Sequence, residues 1–134
     1  MEKIIAIIEK GDTDSYGIYA ANDNVPLFAS GDTEQEARDN FESIKNEQAD
    51  YMEQQTGVRP AWADASVEYR YDMSAFFQRF PFINVTEFAR CLGINPSLMR
   101  KYKNGLAAAG EKQKDLIQRK FDEIVKDLNR VRFA

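Results

Sequence analysis

The sequence predicts an α+β chain, in which a strand-rich N-terminal half carrying one long helix is followed by a purely helical C-terminal half. Three observations carry that prediction. Ile4 to Ile8 is an unbroken, largely β-branched apolar run bounded by charge. Ser66 to Met73 alternates between apolar and polar side chains, and beyond Ser74 the apolar residues recur at helical spacing.

The Ile4 to Ile8 run predicts a strand at about residues 2 to 9, buried on both faces because it shows no alternation. Turn residues Gly11 to Ser15 then lead into a second strand at Tyr16 to Ala21, forming a hairpin, and a short strand follows at Leu27 to Ser30. Gly31 and Asp32 end that strand. Thr33 and Glu36 have the spacing of a capping box and open a helix of about two dozen residues. Its apolar face runs through Ala37, Phe41, Ile44, Tyr51 and Met52, interrupted by Gln48, and its solvated face includes Arg38, Asp39, Glu42, Lys45 and Glu53. Gly57 and Pro60 make a loop in which Trp62 is expected to anchor packing. Ser66 to Met73 returns as a half-buried strand with Val67, Tyr69, Tyr71 and Met73 inward. Residues 1–73 are thus expected to form a β-β-β-α-β two-layer sandwich.

Residues 74–134 are expected to form an all-α domain. Ser74 caps a short helix with Phe76, Phe77 and Phe80, ended by Pro81; Thr86 caps the next, with Phe88, Ala89 and Leu92 inward. Gly93 permits a sharp turn, Asn95 and Pro96 start another helix, and Gly105 stops it. A final helix at about residues 111–130 carries Ile117, Phe121, Ile124, Leu128 and Val131 at spacings that suit packing on the preceding helices or on a second copy.

Composition narrows the function classes. No apolar run approaches the roughly 20 residues of a membrane span, and MEKIIAIIEK turns charged too early for a signal peptide, so a cytoplasmic location is expected. The chain has one cysteine and no histidine, which removes the usual zinc sets and the Ser-His and Cys-His nucleophile pairs. Cys91 itself is expected to act as a small hydrophobe. The net charge of -4 is divided unevenly: residues 1–65 hold 14 acids and 5 basic side chains, residues 66–134 hold 8 and 13. Such a split predicts partners of opposite charge for the two halves.

The stretch FARCLGINPSLMRKYKNG, Phe88 to Gly105, holds the candidate site. In a helix-turn-helix the second helix enters the major groove, its early outward residues meeting base edges and its basic flanks meeting phosphates. Met99 and Tyr102 would face the core with Ile94 and Leu106. Pro96, Ser97 and Arg100 would then face bases, and Lys101, Lys103 and Asn104 the DNA backbone. Phe88-Ala89, Leu92-Gly93-Ile94 and Tyr102-Lys103-Asn104-Gly105 stand where the repressor-type helix-turn-helix pattern has its Leu-Ala pair, its Leu-Gly-Ile turn and its Tyr-x-Asn-Gly close, and the stretch resembles that pattern.

Gly31-Asp32-Thr33-Glu34-Gln35-Glu36-Ala37, with Asp23 ten residues before Thr33, carries a wider likeness. With this order of elements and a C-terminal helix-turn-helix, nearly the whole chain is similar to HicB-family antitoxins of type II toxin-antitoxin systems. Around the aspartate the family usually reads Pro-Asp-Leu-Pro-Gly, and this chain departs from it with Asn22-Asp23-Asn24-Val25-Pro26. The resemblance implies a degenerate RNase H-like N-terminal domain, without catalysis, that blocks a HicA-type mRNA-cleaving toxin. It also implies a C-terminal domain that binds operator DNA as a homodimer or higher homo-oligomer. No catalytic residue, metal or cofactor is expected, because Asp12, Asp14, Asp23, Asp32 and Glu36 fall in turns and a helix cap, where acids have local reasons to be. Two other readings are a stand-alone transcription regulator whose α/β domain oligomerises or binds a small ligand, and a residual metal-dependent nuclease.

Overall fold

The computed structural model describes residues 3–134. It is a mixed α+β chain with a four-stranded sheet and five helices: β1 (Lys3–Lys10), β2 (Tyr16–Ala20), β3 (Phe28–Gly31), α1 (Glu34–Thr56), β4 (Ser66–Tyr71), α2 (Met73–Arg79), α3 (Val85–Leu92), α4 (Pro96–Lys103) and α5 (Glu111–Leu128). It divides into two compact units, Met1–Arg79 and Phe80–Ala134. The boundary falls one helix beyond residue 73, because α2 packs on β1 and β4 and belongs with the sheet. Residue 2, the first position of the expected β1, lies outside the described residues.

In the first unit the strand order is β3-β2-β1-β4, with β4 parallel to β1 and the other pairs antiparallel. The parallel crossover is made by α1, whose start follows the predicted cap: Glu36 N–H donates to Thr33 Oγ1 at 3.0 Å. Ile4, Ala6, Ile8 and Ile18 are fully enclosed in one core with Ala37 and Phe41 of α1. Phe41 meets Tyr69 of β4 edge-on, 6.2 Å between ring centres. Trp62 joins this core, as expected of an anchor.

Several burial expectations change. β1 is fully buried on one side only; Ile5 and Ile7 stay half-buried, because a two-layer sandwich has one helical layer to offer. On α1, Lys45 is 7% exposed and Ala49 is enclosed, whereas Tyr51 stands 58% exposed. The buried stripe follows the 3.6-residue period through Ala37, Phe41, Lys45 and Ala49, and the lysine contributes its alkyl stem.

The outer end of β4 is bolted to α1 by polar contacts. Tyr69 donates its hydroxyl to Glu42 at 3.2 Å beneath the Arg38 guanidinium, which lies 4.4 Å from the ring centre. Tyr71 donates to Glu34, itself paired with Arg38 at 2.9 Å. Burial, followed by the Glu42 charge, pushes the Tyr69 phenol well above its usual range.

Ser74 is not the cap of α2. Asp72 is, accepting from Ser74 N–H at 2.9 Å, while the buried Ser74 hydroxyl accepts from Lys10 N–H at 3.4 Å. Among the described residues no helix is long and apolar enough to cross a membrane.

Candidate nucleic-acid interface

The second unit is built on α3, α4 and α5. Asn84, not Thr86, caps α3 by accepting from Glu87 N–H at 2.9 Å; the Asn84 and Glu87 pair carries the same three-residue spacing that marks a capping box. Thr86 is thereby drawn into the first turn. α3 ends at Gly93, whose φ of 72° places it in the left-handed region, so the helix stops sharply there and only Gly93, Ile94 and Asn95 separate it from α4. Asn95 then caps α4 by accepting from Ser97 N–H at 2.8 Å, with Pro96 as its first residue.

Phe88, Ala89, Leu92, Ile94, Met99 and Tyr102 are buried, as the spacing predicts. Phe88 packs edge-on against Phe121 of α5, 6.3 Å between centres. Leu106 departs from expectation and stands 75% exposed, because the chain leaves α4 at Gly105 (φ 73°) and turns away from the helix pair. Cys91 is exposed and not a packed hydrophobe. The expected α5 stripe closes in only part: Ile117 is buried and Phe121 and Ile124 half-buried, whereas Leu128 is exposed and Val131 lies beyond the helix.

This packing leaves Ser97, Arg100, Lys101, Lys103 and Asn104 exposed and Pro96 half-buried. Arg100 is held in place. Its Nη1 donates to Thr86 Oγ1 at 3.2 Å and its Nη2 to Ser97 Oγ at 3.1 Å, so an exposed arginine is positioned by two hydroxyls from two helices. Thr86 was missed as a site residue by sequence reasoning; the competing cap at Asn84 was the signal that would have freed it. No Asp or Glu occurs between Glu87 and Glu111, and Glu87 itself is paired with Arg90 at 2.6 Å. The exposed side chains of α4 therefore include Arg100, Lys101 and Lys103 with no acid in the same stretch, which is the local condition for attracting phosphate.

In the first unit Asp12, Asp14, Asp23, Asp32 and Glu36 are all exposed. Among the described residues no group of three or more acidic or sulfur side chains is gathered where it could share a metal ion. Asn22, beside Asp23, binds the chain rather than a ligand: its Oδ1 accepts from Ile5 N–H at 2.7 Å and its Nδ2 donates to Lys3 O at 3.2 Å. No protein-family profile, curated protein or solved structure matches this chain.

Proposed function

We propose that the chain is a HicB-like antitoxin and autorepressor that acts by binding and not as an enzyme. In this reading α3 and α4 form a helix-turn-helix whose second helix reads operator DNA, while the N-terminal unit, a degenerate RNase H-like sandwich, captures a HicA-type toxin in the cytoplasm. The observation that carries it is Arg100, exposed on a stretch with no Asp or Glu between Glu87 and Glu111 and bonded to Thr86 and Ser97. An arginine so positioned can meet a guanine edge with little further ordering.

The charge division supports the second half of the reading. Residues 1–79 hold 16 acids and 7 basic side chains, and residues 80–134 hold 6 and 11. An RNA-cleaving partner needs a basic surface, which the first unit complements, while the second complements DNA. Val125 and Leu128, exposed on α5, support pairing of two copies over two half-sites.

Fluorescence anisotropy with the DNA upstream of the chain's own operon tests the repressor. Arg100→Ala is expected to weaken binding and relax base preference, and Lys103→Ala to weaken it evenly and lower the salt slope by about 1. Unchanged binding in both variants would exclude α4 as the reading helix. Co-purification with the product of the adjacent reading frame tests the antitoxin, and absence of a small basic partner would favour the stand-alone regulator.

A further inference from the structure

The α1 helix covers one face of the sheet, and the other face carries apolar surface. Tyr19 is 37% exposed and Phe28 56%. The Phe28 ring lies on the backbone of Gly17, where an added Cβ would come within 3.4 Å of the ring carbons and 3.6 Å of Glu9 Cγ. Exposed aromatic surface of this kind, rimmed by polar groups, marks interaction sites.

Phe28 also lies on the edge of the sheet. Ala20 N–H donates to Leu27 O at 3.1 Å, so the ladder bonds of β2 and β3 fall on Ile18 with Ala29 and on Tyr16 with Gly31. By the alternation of an antiparallel ladder, Phe28 and Ser30 turn their N–H and C=O groups outward. Asn40 Nδ2 donates to Ser30 O at 2.8 Å, which covers one of these groups.

Two shallow grooves flank Phe28. One is lined by Glu9, Lys10, Asp12 and Ser15, so that two carboxylates outnumber one ammonium, and the other by Asn40, Ile44 and Glu47. Each brings a carboxylate to the edge strand. We propose that β3 is the docking edge for an extended basic segment of a protein partner. The segment would pair with the outward N–H and C=O of Phe28 and the N–H of Ser30, place an apolar side chain on the Phe28 ring, and send cationic side chains alternately toward Glu9 and Glu47.

Successive side chains of an added strand point to opposite faces, which is what two acidic grooves on either side of one edge require. Charge selects the occupant. A second copy would bring Glu9, Asp12 and Glu47 against their own kind in a unit with 16 acids and 7 basic side chains, whereas a basic segment neutralises them. Burial and the nearby Asp72 carboxylate hold the Glu9 carboxyl above its usual range, so a cation supplied by the partner meets a group with an unmet electrostatic need.

The proposal rests on the reading of the N-terminal unit as the captor of a basic protein, and one experiment separates the two. The full chain is co-expressed with the product of the adjacent reading frame, and the complex is followed by calorimetry and amide hydrogen exchange. Slower exchange at Phe28 and Ser30 in the complex is expected, with a loss of about tenfold in affinity for Phe28→Ser and about threefold for Glu9→Gln. Circular dichroism checks that both variants fold, and Glu9→Gln should weaken the complex while stabilising the free chain, a split that a merely structural residue would not produce. A complex of unchanged affinity in both variants, with new protection on α1 and none on β3, overturns the docking edge and leaves the antitoxin reading standing. No complex from the wild-type chain overturns both, and a self-association abolished by Phe28→Ser assigns the edge to a second copy and overturns the proposal.

Discussion

Arg100 and Thr86 are joined across the turn between α3 and α4, Nη1 lying 3.2 Å from Oγ1. With Ser97 Oγ at 3.1 Å on Nη2, the guanidinium is held by the same two helices whose packing buries Leu92 and Met99. Its orientation is therefore a property of the helix pair, and less side-chain freedom is lost when it meets a ligand.

Thr86→Val keeps the shape of the side chain and removes the hydroxyl. Affinity for the operon's upstream DNA is expected to fall severalfold, with thermal stability changed by no more than about 1 kcal/mol, since the bond is exposed. Anisotropy and thermal denaturation on the same sample check both. A variant that binds as tightly as the wild type would show that Thr86 does not position Arg100.

The caps of the short helices should matter more than their sequence suggests. α3 and α4 have eight residues each, too few to be stable alone. Asn84→Ala and Asn95→Ala are each expected to cost about 1 kcal/mol, read by denaturant unfolding, and Thr86→Ala should cost less than Asn84→Ala.

Gly31→Ala should be among the most damaging single substitutions in the first unit. An added Cβ would stand 2.5 Å from Ala37 N and 2.8 Å from Glu36 C, and neither backbone atom can move aside without displacing the start of α1. A loss of about 2 to 3 kcal/mol is expected, measured by denaturant unfolding.

Glu9 supplies a pH-dependent test. Its carboxyl is raised by burial first and by Asp72 second, with the Tyr19 phenol also raised beside it. The folded chain holds this proton more tightly than the unfolded chain. Its contribution to stability is present below the unfolded carboxylate range and lost as the pH rises through the folded value. Glu9→Gln is expected to raise the thermal midpoint at about pH 7 and to make little difference at about pH 3. A gain of equal size at both would exclude charge as the cause.

Much of this architecture was legible locally. The Thr33 and Glu36 spacing, the turn residues Gly11 to Ser15, the glycine at Gly93 and the Asn95-Pro96 start all act through bonds within a few residues, and each appears where the sequence places it. Failures arose where two local signals competed or where a neighbour distant in sequence decided. Asn84 and Thr86 could both cap α3, and only one hydroxyl or amide can occupy the first turn's free N–H groups. Lys45 reads as solvated on a helical wheel, and it is enclosed because it stands on the buried stripe of α1 with Ala37, Phe41 and Ala49. Leu106 reads as core, and it is exposed because the chain exits at Gly105.

By itself the sequence determined the kinds of element, their order, their punctuation and the opposition of charge between the two halves, since these depend on propensity, spacing and side-chain type. Only the tertiary structure decided that β1 has one covered face, that Phe28 lies over Gly17 at the sheet edge, and that Thr86 reaches Arg100. Each of these depends on which atoms are brought together from distant positions, and burial and positioning follow from those neighbours rather than from any residue alone.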